Sequence, residues 1–259
     1  VGLGSGAFGT GLTTGTDNVA VGDSSGDALT TGTDNTFIGN ESGGATTTGA
    51  NNVAIGSAAL DGNTTASDNI AIGINALGAS NTSANNVAIG SGAMDANTGG
   101  SGVAVGKDAL GANTTGGSNT AVGYAALTAN TTASNNTGIG VSALAANTTG
   151  ASNVAVGVGA LDANTTASNN VAVGKDAIGD NTTGAGNTAI GHNALTANTT
   201  AADNVAVGYN AILTTTTGAN NTAVGVSALK LNTAAGGTAV GRGALLNNST
   251  GANNTAVGY

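Results

Sequence analysis

Apolar residues recur along this chain in two short patches per unit. The first is a three-residue run closed by Gly, as in "VAIG" at 53–56 and "TAVG" at 120–123. The second is a pair three and four residues after that Gly, as in Ala59-Leu60, Ala126-Leu127 and Ala160-Leu161. Taking the closing Gly as origin, the series runs Gly4, Gly22, Gly39, Gly56, Gly73, Gly90, Gly106, Gly123, Gly140, Gly157, Gly174, Gly191, Gly208, Gly225, Gly241 and Gly258. The interval is 17 residues except for two of 16 and one of 18. A fixed period that spans the whole chain marks stacked repeats, not a single domain built around a site. Patches this short cannot make a helix of ordinary length, and the many Gly weaken one further, so each unit predicts short strands joined by tight turns. The expected fold is all-β, a parallel β-solenoid (β-roll) of about sixteen 17-residue rungs, with residues 1–259 forming a single continuous repeat array.

Strand side chains alternate between two faces. The residue before each origin Gly is Val or Ile in every rung but the first, which has Leu3, and Val, Ile or Thr stands two residues earlier. These larger side chains are expected to face the core. The residue between them is Ala almost throughout, for example Ala54, Ala121 and Ala206, with Phe37 and Gly138 as exceptions. On that assignment the Ala column points outward, and a stripe of such small side chains suits close packing against another chain, which favours an oligomeric fibre. In the early rungs Gly26 and Gly43 stand where Leu is usual, and Phe37 with Leu29 is expected to refill the volume.

Asn recurs four residues before the Gly and again seven after it, including Asn63, Asn113, Asn164 and Asn198. Asn tolerates left-handed backbone, bonds its own backbone in Asx-turns and stacks into hydrogen-bonded ladders, so these columns read as structural. The origin Gly supplies a bend or a close backbone approach.

Composition narrows the picture further. There are 46 Gly, no Pro, no Trp, no Cys and five aromatic residues, and much of the 39% hydrophobic content is Ala, so the core must be thin. Charged residues are only 7%, which is not the signature of disorder. A net charge of −9, with Lys107, Lys175, Lys230 and Arg242 as the basic residues, argues against a nucleic-acid partner. No apolar run approaches the roughly 20 residues that cross a bilayer, so no membrane contact is expected of this segment. The absence of Cys allows an extracellular location without disulfides. The chain opens and closes in mid-motif, and is read as a fragment of a longer polypeptide whose leader, anchor and tip lie outside it.

The "NNVAIGxxAL" and "NTAVGYxAL" units resemble the head repeats of trimeric autotransporter adhesins (YadA-like heads), and equally the "NTAVG" repeat arrays of tail-fibre-like proteins of phages and bacteria. The resemblance implies a β-roll in a homotrimer. The unit here is longer than the usual adhesin-head repeat, through its "NTTGAS" turn.

"GSGAFG" at 4–9 matches a dinucleotide-binding pattern by letter, but its Gly belong to the repeat and no βαβ context surrounds them. The pairs Asp17-Asn18, Asp34-Asn35, Asp68-Asn69 and Asp203-Asn204 read as solvated turn carboxylates, because calcium-binding rolls need a regular Gly- and Asp-rich nonapeptide. With one His, no Cys and no repeated grouping of nucleophile, base and orienter, neither an enzyme nor a cofactor nor a metal site is expected. The sequons at Asn63, Asn113 and Asn130 follow from "NTT" and would carry glycans only in a host with the machinery.

The informative variable column is the one just after the origin Gly. It holds Lys107, Tyr124, Lys175, His192, Tyr209 and Arg242 among small or apolar residues. Charges of that kind would be ruinous in a thin core, so the column is expected to face outward once the Gly bends the chain. It forms a candidate surface-binding stripe for a host glycan or protein ligand. The leading functional expectation is a structural fibre segment of an extracellular adhesin or cell-surface filament, mediating or supporting attachment. The alternative is a phage or phage-like tail fibre shaft on a virion. A third reading, an ice-binding solenoid, is disfavoured because adjacent Thr of "NTT" would point opposite ways in a strand.

Overall fold

A computed structural model describes residues 1–9, 11–79 and 82–259. The chain divides into two compact units, Val1–Thr132 and Ala133–Tyr259. In the first, the described residues form β1 (Gly2–Leu3), β2 (Val19–Val21), β3 (Thr36–Ile38), β4 (Val53–Ile55), β5 (Ile70–Ile72), β6 (Val87–Ile89), β7 (Gly102–Val105) and β8 (Asn119–Val122). In the second they form β9 (Thr137–Ile139), β10 (Val154–Val156), β11 (Val171–Val173), β12 (Thr188–Ile190), β13 (Val205–Val207), β14 (Thr222–Val224), β15 (Thr238–Val240) and β16 (Thr255–Val257). Within each unit every strand pairs in parallel with its sequence neighbours. The fold is thus an all-β parallel β-solenoid with one strand per repeat, and no helix occurs among the described residues. Like stacks on like: Val53, Ala54 and Ile55 pair with Ile70, Ala71 and Ile72. Where the spacing shortens to 16, between β6 and β7, the turns absorb the difference and Ala88 still pairs with Ala104.

The facing of the strands is the reverse of the expectation from side-chain size. The Ala column is fully buried inside each unit, from Ala20 and Ala54 to Ala206 and Ala239. The Val and Ile columns beside it lie on the outer face, with Ile89, Val173 and Ile190 36–43% exposed. The reason is room. The Leu, Ile or Met four residues after the Gly is also fully buried and takes most of the interior width, which leaves a methyl group's space on the facing strand. The irregular rungs demonstrate the pairing of the two columns. A Cβ added at Gly26 would lie 2.9 Å from the Phe37 ring, and one at Gly43 would lie 2.5 Å from it. Phe37 and Leu29 are both fully buried, so the large residue has moved across the core while the total volume is kept, as expected for them. An Ala column closed within its own chain cannot be the interface with another.

The second apolar pair is not a strand. Leu60, Leu77, Leu127, Leu144 and Leu195 have φ between 51° and 57°, and the residue two before each, such as Ala58 and Asn75, is left-handed too. That conformation costs an L-residue roughly 1–2 kcal/mol. It is held by burial of the Leu and by bonds between rungs, such as Leu60 N–H to Ala76 O at 2.9 Å and Ala58 N–H to Asn40 O at 2.9 Å.

Both Asn columns form ladders. In the first unit the N–H groups of Asn35, Asn52 and Asn69 donate to the side-chain oxygens of Asn18, Asn35 and Asn52, each at 3.0 Å. Asn52 Nδ2 in turn donates to Ala66 O at 3.0 Å, tying strand to turn. In the second unit Asn164, Asn181 and Asn198 each pass Nδ2 to the Oδ1 of the preceding copy at 2.8–2.9 Å. The left-handed residue of this turn is the one before the ladder Asn, for example Asn51 and Asp68. The origin Gly performs both expected roles. At Gly56 φ is 132°, and an added Cβ would sit 2.6 Å from the carbonyl oxygen of Gly73.

The sequon Asn63, Asn113 and Asn130 belong to the buried ladder column and are 0–2% exposed, so the folded chain does not offer them for glycosylation. The adjacent Thr do not lie in a strand, so the alternation argument against an ice face does not apply: Thr64 and Thr65 are both exposed. The inner rank is engaged, with Thr30 Oγ1 donating to Thr47 O and Thr182 Oγ1 to Thr199 O, each at 3.0 Å.

Candidate surface-binding stripe

Each residue of the candidate column follows an origin Gly, and that Gly's φ near +135° ends the strand there. With Ala facing inward, alternation along the strand already sends this column outward, so no inward turn has to be undone. Lys107, Tyr124, Lys175, Tyr209 and Arg242 are exposed and His192 is half-buried. Tyr124 and Tyr209 present just over half of their surface.

Parallel in-register stacking places successive members one rung apart, where they meet. In the first unit the Lys107 ammonium lies 5.9 Å from the centre of the Tyr124 ring. In the second, His192 and Tyr209 stack with centroids 5.5 Å apart and planes 15° from parallel. At β16 the Arg242 guanidinium lies 6.0 Å from the centre of the Tyr259 ring. Contacts of this kind are worth about 0.5–1 kcal/mol at exposed sites. Two of the cations have an acidic neighbour in sequence: Lys107 Nζ is 3.6 Å from Asp108 and Lys175 Nζ is 3.3 Å from Asp176.

Carboxylates line a second surface column, five residues after the Gly. Burial raises the pKa of Asp61, with Glu41 adding to it, and burial raises that of Asp95. Burial also raises that of Asp162, where Asp176 and Asp180 push the same way and backbone hydrogen bonds oppose them. The four Asp-Asn pairs divide between two environments: Asp17, Asp34, Asp68 and Asp203 are exposed, while Asn18, Asn35, Asn69 and Asn204 are buried in the ladder. No group of three or more His, Cys, Asp or Glu that could hold a metal ion occurs among the described residues. "GSGAFG" runs from the end of β1 through turns, with φ of 142° at Gly4 and 68° at Gly6, and is followed by no helix among the described residues.

Two features escape the sequence reading. One is the outward Val/Ile face of the sheet. The other is Lys230, which lies outside the stripe column yet lines a concavity with Val226, Ser227, Arg242, Gly243, Leu246, Asn247 and Tyr259. Its position five residues after Gly225 is Asp, Gly or a small or apolar residue in most rungs, and a single exception carries no periodic signal. No protein-family model, curated protein or solved structure matches this chain.

Proposed function

We propose that this chain is a structural fibre segment of an extracellular adhesin or cell-surface filament, assembled as a homotrimer and supporting attachment. The observation that carries the proposal is the outer face of the sheet in each unit, where β-branched side chains such as Ile139, Ile190 and Val240 stand 39–43% exposed in the single chain. Exposed apolar faces of this regularity mark interaction surfaces. A face that repeats at every rung is covered continuously only by a partner with the same rung spacing, and a second copy of the chain has that spacing. Three copies close such a face around one axis, as in the adhesin heads that the repeats resemble. The Val/Ile columns replace the Ala column as the contact. The stripe of Lys107, Tyr124, Lys175, His192, Tyr209 and Arg242 lies on the same outer side, past the bend at the origin Gly, and in this reading forms the rim of the contact, where it meets a glycan or protein of the host.

Sedimentation equilibrium tests the assembly. The purified chain is expected at three times its 23.8 kDa, and the variant with Ile139, Val173 and Ile190 all changed to Lys is expected as a folded monomer. A monomeric parent, or a variant that still assembles, would overturn the interface. For attachment, cells displaying the array with Tyr124, His192 and Tyr209 changed together to Ser should bind their natural surface less well while the array stays folded. Unchanged attachment would make the segment a spacer only.

A further inference from the structure

We infer that Lys230 and Arg242 form a binding site for an acidic saccharide, the anionic group held by the two cations and the sugar hydroxyls by Ser227 and Asn247. The inference deepens the attachment reading above and rests on it for its biological purpose.

Charge is distributed unevenly along the chain. All 13 acidic residues lie at or before Asp203, so residues 1–203 carry −11 and residues 204–259 carry +2. Lys107 and Lys175 each have an Asp beside them, whereas neither Lys230 nor Arg242 has an acidic partner among the described residues. Two cations that share one concavity repel each other, and that repulsion is relieved when an anion bridges them. The two side chains arrive from different rungs, Lys230 from the turn after β14 and Arg242 from the second position after β15, and both line the same hollow. Lys230 is half-buried and shares the hollow with Leu246, so its ammonium works in a less screened setting than an isolated surface Lys.

The donor set suits one ligand class. The Arg242 guanidinium, 6.0 Å from the centre of the Tyr259 ring, brings forked N–H donors that suit a planar carboxylate or a sulfate. Lys230 adds a point charge, Ser227 a hydroxyl that donates and accepts, and Asn247 an amide that does both. Val226 and Leu246 supply an apolar wall for a sugar's C–H face. A small inorganic anion would use the cations alone, and a neutral sugar would leave them unpaired.

The test is NMR titration of the full chain with three tetrasaccharides: one containing uronic acid, the same one with its carboxyls reduced to alcohols, and a sulfated neutral one. The uronic-acid compound should shift the resonances of Arg242, Tyr259 and Asn247. Arg242→Gln and Lys230→Gln should each weaken its binding about tenfold or more, the scale of one charge-assisted bond. Thr65→Gln, at an exposed position outside both the hollow and the stripe, should leave it unchanged. The sulfated compound separates the two anion sources: tighter binding than the uronic acid assigns the site to sulfate esters, and weaker binding assigns it to carboxylates. Equal binding of the carboxyl-reduced sugar, no effect of either substitution, or an equal effect of Thr65→Gln would overturn the site. A chain that assembles as a trimer but binds none of the three loses this site and keeps its role as a fibre. A chain that binds the saccharide as a monomer loses the fibre and keeps the site.

Discussion

Exchanging the large and small residues of one rung tests the deepest claim about this core, that the Ala and Leu columns face each other. Phe37 is fully buried against the two Gly that replace Leu, so Phe37→Ala should cost about 3–5 kcal/mol. Gly43→Leu alone should also destabilise, because its Cβ would start 2.5 Å from the ring of Phe37. Together the two changes restore the arrangement of the regular rungs, Ala opposite Leu. Gly43 has φ of 60°, close to the 51–57° at which Leu77 and Leu60 are already held, so the backbone accepts the new side chain. The double variant should therefore recover most of the loss, with a coupling of about 3 kcal/mol between the sites, at the upper end for residues in contact. Long repeat arrays need not unfold in one step, so the assay is amide hydrogen exchange over residues 26–46, where Gly26 N–H to Ser42 O at 3.0 Å and Gly43 N–H to Ala59 O at 2.9 Å report the rungs concerned. If the two penalties simply add, the columns do not oppose each other and the account of the core is wrong.

Glu introduced at Ala121, Ala155 or Ala189 places a charge in a fully buried position, so each should abolish folding; a folded monomer in circular dichroism and sedimentation would refute this. Thr215 interrupts an Asn ladder and leaves the buried Asn198 Oδ1 without a partner, so Thr215→Asn should stabilise the second unit by about 1 kcal/mol, and an unchanged exchange rate there would count against the ladder's contribution. Asp61, Asp95 and Asp162 have folded pKa values above the ordinary 3.8. The folded chain thus binds more protons than the unfolded chain just above that pH, and their contribution to stability falls as pH rises through the raised values. Asp162→Asn should flatten the fall of the thermal midpoint as pH rises above the ordinary carboxylate value of 3.8, and an unaltered slope would refute the shift. No thermal hysteresis is expected, because the inner Thr hydroxyls already donate to the next rung.

The period, the parallel one-rung-per-repeat fold, the Asn ladders and the exposed stripe were all legible in the sequence, because each follows from spacing or from the intolerance of a thin core for charge. The facing of the strand was not. Side-chain size alone favours Val173 inside and Ala172 outside, and only the width of the interior, set by Ile178 in the turn, reverses that. A clue did exist in the compensating Phe37, Gly26 and Gly43, since residues that exchange volume must share a cavity. The left-handed backbone at Leu60 and its equivalents had no signal, because Leu is not a residue that chooses it; neighbouring rungs impose it. Lys230 was missed because it departs from its column once, and a repeat reading averages such departures away.

The Asn ladder beside the strands has a polarity. At each step a side-chain oxygen in the earlier rung receives the backbone N–H of the later one, from Asn136 to Asn153 at 2.9 Å and onward to Asn170 at 3.0 Å. A finished rung thus offers a waiting side-chain acceptor to whatever chain follows it. Such an array can be laid down like courses of brick behind an advancing terminus, each course gauged by the one beneath. A chain that emerges from a ribosome or a secretion pore with its early residues first has its template ready before its later residues appear.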